Sequence, residues 1–116
     1  MNNPQEITHE DMKRVVADGQ AWLVDCNGSG KYTQMHIPGA IDFEAEKDRL
    51  KDVLPLDKYT PIVVYCGSKD CHAYEPCAQV IMNMGYPNVS YYALGISGWK
   101  EHGEKTEAAE AMSRRN

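Results

Sequence analysis

Residues 62–72 read IVVYCGSKDCH, which is the clearest structural signal in the chain. Its first four residues are β-branched or aromatic with no polar interruption, a pattern typical of a strand buried on both faces in a parallel sheet. Cys66 follows this strand directly, and a polar loop follows Cys66. Because ligands bind beyond the carboxyl ends of strands in open α/β sheets, the sequence predicts a thiol at a ligand-binding position.

Strand and helix patterns alternate on both sides of this stretch. Further strands are predicted at residues 21–24 and 89–92, and a turn followed by a short extended piece at residues 37–41. Helices are predicted from a cap at Thr8 to Gly19, over residues 44–54, and from Pro76 to Gly85. A glycine-rich turn is predicted at Gly95, Gly98 and Trp99. This alternation predicts a small α/β domain, with a doubly wound, mostly parallel sheet flanked by helices.

One domain is expected at residues 1–104, because a chain of 116 residues has room for a single hydrophobic core. From Lys105 onward the residues are mostly charged or alanine, with little apolar content. Such a segment buries too little surface to hold a fixed structure, so residues 105–116 are predicted to be a frayed helix or a disordered tail.

Composition excludes several classes of function. The net charge is −5 and the isoelectric point is near 5.3, which argues against a nucleic-acid-binding surface. No apolar run approaches the roughly 18 residues that a membrane span needs. Residues 1–6 are polar and lack the basic start and apolar core of a secretory signal, so a cytoplasmic location is expected.

The chain has four cysteines, at positions 26, 66, 71 and 77. An even number in a small secreted protein would suggest disulfides, but no secretion signal is seen. Free thiols, reactive or buried, are therefore expected.

The residues after Cys66 suit a reactive thiol. A cysteine attacks as its thiolate, and an ordinary thiol with a pKa of about 8.5 is mostly protonated at neutral pH. Gly67 lets the backbone approach, Lys69 supplies a positive charge, and the helix that follows would direct amide groups and its dipole towards the sulfur. These features favour an ionised Cys66; the alternative is a buried, inert thiol.

From Ile7 to Gly103 the chain resembles the rhodanese-like family. The matching pieces are LVD at 23–25, Tyr32 with HIPGAI at 36–41, VVYC at 63–66, MGY at 84–86 with NV at 88–89, and GI at 95–96 with GW at 98–99. Each piece is short, but together they occur in the family's order and at about its spacings.

The resemblance implies a sulfurtransferase in which Cys66 is catalytic. Cys66 would take sulfane sulfur from a small donor such as thiosulfate, hold it as a persulfide, and pass it to cyanide or to a thiol acceptor, including a protein acceptor. The active-site loop would comprise Gly67, Ser68, Lys69, Asp70, Cys71 and His72, with Asp25 and His36 in support. No cofactor and no metal are implied.

The chain departs from the family pattern at three places. Asn27 stands where an arginine is usual, and Met35 stands where a glycine is expected before His36. The cation that active members often carry late in the loop is missing, since this chain offers Lys69 and then Cys71 and His72. These differences leave the substrate preference open.

Other functions remain open on the sequence. Phosphatases of this fold close a Cys-x5-Arg loop with an arginine that grips phosphate, and position 72 is His, which disfavours that activity. Cys66 and Cys71 are able to form a reversible disulfide, which would make a thiol redox protein or give sulfur transfer a resolving thiol. A non-catalytic binding module is the alternative from another class, although domains of that kind lack the cysteine that this chain has.

Three supporting assignments also have alternatives. A zinc site could use Cys66, Cys71, His72 and Cys77, but Cys77 lies on the apolar stripe of a predicted helix. Asp25 either orients the loop after its strand by accepting backbone N–H bonds or caps a turn. His36 acts near the site or serves as a hydrogen-bonding residue of its turn.

Overall fold

The structure is a computed structural model that describes residues 3–108. Its strands are β1 (Gln5–Glu6), β2 (Trp22–Asp25), β3 (Ile41–Asp42), β4 (Ile62–Tyr65) and β5 (Val89–Tyr92). Its helices are α1 (His9–Asp18), α2 (Ser29–Gln34), α3 (Phe43–Glu46), α4 (Leu50–Val53), α5 (Tyr74–Asn83) and α6 (Gly95–Glu101). Among the described residues, no helix has the length and apolar character needed to cross a membrane.

The five strands form one parallel sheet in the order β1-β5-β4-β2-β3, which confirms the predicted sheet. Strand β4 lies in the middle, and all four of its residues are buried, as its apolar sequence predicts. Its last residue, Tyr65, pairs in register with Asp25 of β2 and Tyr92 of β5. The polar or aromatic ends of three strands therefore lie side by side at the edge where Cys66 begins the loop.

Helices cover both faces of the sheet. On one face Ile62 and Val64 pack with residues of α4 and α5, and on the other Val63 and Tyr65 pack with Met12 of α1 and Trp99 of α6. Alternate residues of β4 point to opposite faces of the sheet, and both faces are covered by helices. A strand in this position therefore has apolar residues along its whole length.

The predicted ends of helix α1 are confirmed. The Thr8 hydroxyl accepts a hydrogen bond from the Asp11 amide at 3.1 Å, and Gly19 ends the helix in the left-handed conformation. Helix α5 begins at Tyr74, so Pro76 lies in its first turn as predicted. The helix predicted over residues 44–54 is interrupted by a 3-10 turn at Lys47–Arg49, although Leu50 and Leu54 both enter the core.

The glycine-rich turn predicted at Gly95, Gly98 and Trp99 is wrong, because these residues belong to helix α6. The two glycines are needed for close packing: a Cβ on Gly98 would lie 2.4 Å from the Cβ of Leu94. Glycine often marks a turn, but Gly95 and Gly98 are needed in α6 because neither position has room for a side chain.

Residues 105–108 also differ from the predicted tail. They run extended against the domain, and the backbones of His36 and Glu107 exchange two hydrogen bonds of 2.9 Å each. The indole Nε1 of Trp99 donates to the carbonyl oxygen of Lys105 at 2.8 Å. The rest of the predicted tail, residues 109–116, lies outside the described residues.

Candidate active site at the end of strand β4

The start of helix α6 holds the first residues of the loop in place. The amides of Ile96 and Ser97 donate to the carbonyl oxygens of Cys66 and Gly67, each at 2.9 Å. Gly95 lies so close that a Cβ there would be 2.6 Å from the carbonyl oxygen of Cys66. Helix α6, which begins about thirty positions later in the sequence, therefore holds the backbone at Cys66 in place.

The loop folds back so that amide groups face two sulfur atoms. The Cys71 amide donates to the Ser68 carbonyl oxygen at 3.0 Å, which closes a turn. The backbone amides of Gly67 and Tyr74 act to lower the pKa of Cys66. The amides of Gly67 and Ala73 do the same for Cys71. The cradle of backbone N–H groups expected around Cys66 thus serves both thiols.

Burial sets the ionisation of Cys66. Its side chain is only 2% exposed. Loss of hydration, with the hydrogen bond to Cys71 adding to it, raises the pKa of Cys66 to about 11 against the opposing effect of the Tyr74 and Gly67 amides. The sequence led us to expect a lowered pKa at Cys66, and the structure shows the opposite direction.

Cys71 carries the lowered pKa instead. Its partial burial acts to raise the pKa, but the hydrogen bond from Cys66, the amides of Gly67 and Ala73, and the positive charge of Lys31 outweigh burial and lower it. Of the two thiols, Cys71 has the lowered pKa and Cys66 the raised one. Lys31 belongs to α2, far away in sequence, so no local pattern could have placed it beside the loop.

The remaining loop residues lie towards solvent. Lys69, Asp70 and His72 are exposed, and Ser68 is half-buried. His72 Nδ1 lies 3.6 Å from Glu75 Oε2, and both side chains are more than half exposed. These polar residues surround the entrance to the thiol pair, while backbone amides make the contacts with sulfur.

Asp25 acts on the site through its neighbour. Its Oδ1 accepts the Asn27 amide at 2.8 Å, which is the turn-capping geometry considered from the sequence. Burial raises the pKa of Asp25, with the Asn27 amide acting the other way. The Asn27 side chain in turn lies against the loop, since a Cβ on Gly67 would be 3.4 Å from Asn27 Oδ1. Asp25 is therefore a positioning residue.

His36 has a structural position. Its ring stacks on Tyr32 at 3.8 Å between centroids, its Nδ1 lies 2.7 Å from the Tyr32 carbonyl oxygen, and its Nε2 lies 3.6 Å from Glu107. These contacts are with α2 and with residues 105–108 rather than with the loop. Of the two supporting residues expected from the sequence, Asp25 adjoins the loop and His36 does not.

The other two cysteines lie next to each other. A hydrogen bond with Cys77, followed by burial, raises the pKa of Cys26. All four cysteines are free thiols. Within residues 3–108, no three His, Cys, Asp or Glu side chains are arranged to hold a metal ion, and Cys77 is buried on α5 as the apolar stripe predicted.

An open cavity borders the loop on the β2 side. It has a volume of about 320 Å³ and is lined by residues of the β2 loop and of α3, namely Cys26, Asn27, Gly28, Phe43, Glu44 and Lys47. One of these lining residues, Asn27, also lies near Gly67 of the loop.

Comparison with known proteins agrees with this arrangement. No curated protein matches the chain. Among solved structures, a protein from Bacillus halodurans is similar, with a TM-score of 0.76 and 23% identity, covering 93% of this chain and 78% of its own. The thiosulfate sulfurtransferase of Pseudomonas aeruginosa has a TM-score of 0.74 and 25% identity, covering 91% of this chain and 20% of its own.

A human single-domain sulfurtransferase has a TM-score of 0.70 and 18% identity, covering 86% of this chain and 97% of its own. At identities below 25%, the human and Bacillus structures establish similarity of fold alone. The sequence pattern of the rhodanese-like domain matches residues 8–102, which is most of the chain. With this match, the parallel sheet and the loop after β4, the chain belongs to the rhodanese-like domain family.

Proposed function

We propose that the chain is a sulfurtransferase that carries sulfane sulfur on Cys66. The observation that carries this proposal is the position of Cys66, directly after the central strand β4, where the Gly67 and Tyr74 amides act to lower the pKa of its thiol. Membership of the rhodanese-like family and the similarity to the thiosulfate sulfurtransferase of Pseudomonas aeruginosa support it.

The proposed reaction has two steps. In the first, the Cys66 thiolate attacks the outer sulfur of thiosulfate, the sulfur–sulfur bond breaks, and sulfite leaves with the bonding electron pair. In the second, cyanide or an acceptor thiol removes the outer sulfur and Cys66 leaves as its thiolate. The amides of Gly67 and Tyr74 stabilise the negative charge at each stage.

The first step needs a base, because a buried thiol with a pKa of about 11 is protonated at neutral pH. Cys71 belongs to the same loop, and its lowered pKa makes it the more readily ionised of the two thiols. Cys71 therefore takes the proton as Cys66 attacks, which leaves Cys71 as a neutral thiol beside a charged persulfide.

Formation of thiocyanate from thiosulfate and cyanide tests the proposal. The wild-type protein, reduced and then freed of reductant, is expected to form thiocyanate, and Cys66→Ser is expected to reduce the rate to the uncatalysed background. Cys77→Ala is the matched control, because it also removes one buried thiol but leaves the loop intact.

A Cys66→Ser variant that keeps the wild-type rate contradicts the proposal. A wild-type protein that forms no thiocyanate at any pH between neutral and alkaline also contradicts it, and favours the non-catalytic binding module.

A further inference from the structure

We propose that Cys71 is a resolving thiol, which attacks the Cys66 persulfide, releases the carried sulfur as sulfide and leaves a disulfide that an external dithiol reduces. This inference rests on the proposed function, because it needs the persulfide on Cys66. It gives the domain a second activity, the reduction of sulfane sulfur to sulfide at the expense of a dithiol.

The fold of the loop brings the two thiols together. The hydrogen bond from the Cys71 amide to the Ser68 carbonyl oxygen reverses the chain, so that Cys71 returns to the side of the loop on which Cys66 lies. A Cβ on Gly67 would be 4.0 Å from the Cβ of Cys71. Cys66 belongs to a hydrophobic cluster against which the partly buried Cys71 also packs, and the interaction between the two thiols contributes to the pKa shift of each.

The loop is fixed at both ends, which keeps this contact in place. At its start, the loop accepts hydrogen bonds from the amides of Ile96 and Ser97 of α6. At its end, the His72 carbonyl oxygen accepts a hydrogen bond of 3.0 Å from the amide of Glu75, which lies in α5. An attack by Cys71 on Cys66 is therefore intramolecular, and needs no diffusion of an acceptor to a side chain that is 2% exposed.

The two sulfur atoms differ in exposure and charge. Cys66 is buried, whereas Cys71 is half-buried and the positive charge of Lys31 acts to lower its pKa. A large acceptor cannot reach the persulfide directly, but an external thiol can reach Cys71. Because of this difference, Cys66 accepts the sulfur and Cys71 is the sulfur that the external dithiol attacks.

The atoms and electrons of the sequence balance. After the first step Cys66 carries an anionic persulfide and Cys71 holds the proton. The Cys71 sulfur then bonds to the Cys66 sulfur, the bond to the outer sulfur breaks, and the outer sulfur leaves with that bonding pair and the Cys71 proton as HS⁻. A dithiol reduces the resulting disulfide by exchange at Cys71, and is itself oxidised to a disulfide.

A single-turnover experiment without cyanide tests the inference. Reduced protein, freed of reductant, is treated with an equimolar amount of thiosulfate at an alkaline pH where Cys66 reacts even without its partner. Sulfite and sulfide are measured, and the intact protein is weighed by mass spectrometry. Wild type, Cys71→Ser and the control Cys77→Ala are compared.

Wild type and Cys77→Ala are expected to release close to one sulfide per chain and to lose the mass of two hydrogen atoms. Cys71→Ser is expected to release sulfite but less than about a tenth of the sulfide, and to gain the mass of one sulfur atom until a thiol removes it. With cyanide present, wild type should stop forming thiocyanate after a few turnovers unless a dithiol is added, whereas Cys71→Ser should continue.

The possible failures are distinguishable. A wild-type protein that keeps the added sulfur and releases no sulfide overturns the resolving role but leaves Cys66 as a sulfur carrier. Sulfide release that is equal in Cys71→Ser overturns it as well. If neither protein gains sulfur or releases sulfite, the proposed function fails, and the inference fails with it.

Discussion

We expect proton sharing between Cys66 and Cys71 to set the pH at which the site reacts. The pKa of Cys71 lies below its ordinary value of 9.0, so its thiolate is available as a base at lower pH than a free cysteine would allow. We expect the rate of thiocyanate formation to rise with pH and to reach half its maximum below 9.0. In Cys71→Ser the midpoint should move upward, because burial still raises the pKa of Cys66.

Initial rates of the two proteins across the pH range check this prediction, with Cys77→Ala as the control expected to follow wild type. A Cys71→Ser profile that coincides with that of wild type would show that Cys66 ionises without help from its neighbour.

Residue by residue, the sequence indicated Cys66 as the candidate nucleophile but not the groups that shift its pKa. Cys66 was identifiable because an apolar strand runs directly into it. Lys31 was not, because its distance from Cys71 depends on how α2 packs beside the loop. The raised pKa of Cys66 was missed for a similar reason: the amides of a loop can be inferred from local sequence, but the burial of one sulfur depends on the whole fold.

Among the elements, helix α6 has the closest contact with the loop. Gly95 has a φ of 66°, and a Cβ there would lie 2.7 Å from both the Gly67 carbonyl carbon and the Ser68 amide nitrogen. We expect Gly95→Ala to lower the free energy of unfolding by roughly 2 kcal/mol or more, because the substitution adds backbone strain and a clash. The displaced loop should also lose most of its sulfurtransferase activity.

Gly103→Ala is the matched control for this prediction, since Gly103 has a similar φ of 78° but nothing within 4 Å of its Cβ position. The Gly103→Ala variant has the backbone strain of a positive φ but no steric clash, so we expect it to keep full activity. Urea unfolding and thiocyanate assays of both variants give the comparison. Equal stability and equal activity in the two variants would show that α6 does not hold the loop.

Regular elements were predictable where the pattern of apolar residues alone defines them. Strands β4 and β5 were predicted with the bounds that the structure shows, because all their residues except Ser90 are β-branched or aromatic and turn residues flank them. Helix α6 was missed, because Gly95 and Gly98 have low helix propensity and only tertiary packing explains them. Lys31 of α2 and the residues of α6 that hold the loop thus both act through tertiary contacts, which local sequence does not reveal.

At the scale of the whole molecule, residues 104–107 connect parts of the domain that are distant in sequence. Glu104 Oε2 lies 2.9 Å from His9 Nε2 at the start of α1, Lys105 accepts from Trp99, and Glu107 pairs with His36. We expect a chain that ends at Gly103 to lose roughly 2 to 6 kcal/mol of unfolding free energy, because each of these four hydrogen bonds contributes about 0.5 to 1.5 kcal/mol.

A chain that ends at residue 108 is the control, because it keeps every one of these contacts. Urea unfolding followed by tryptophan fluorescence measures the difference, and Trp99 reports directly on the loss of its partner. Equal midpoints for the two shortened chains would mean that residues 104–107 add nothing to stability.

The strand order has a consequence for the synthesis of the protein. Strand β1 pairs only with β5, and the Ile7 amide bonds to the Tyr91 carbonyl oxygen at 3.0 Å. On the ribosome, residues 5–7 emerge long before their partners, so the nascent chain must hold an incomplete sheet with open edges until residues 89–92 leave the exit tunnel. Such a topology, with its pairings far apart in sequence, favours late and slow completion of folding, and chaperones that bind open sheet edges should associate with this chain during most of its translation.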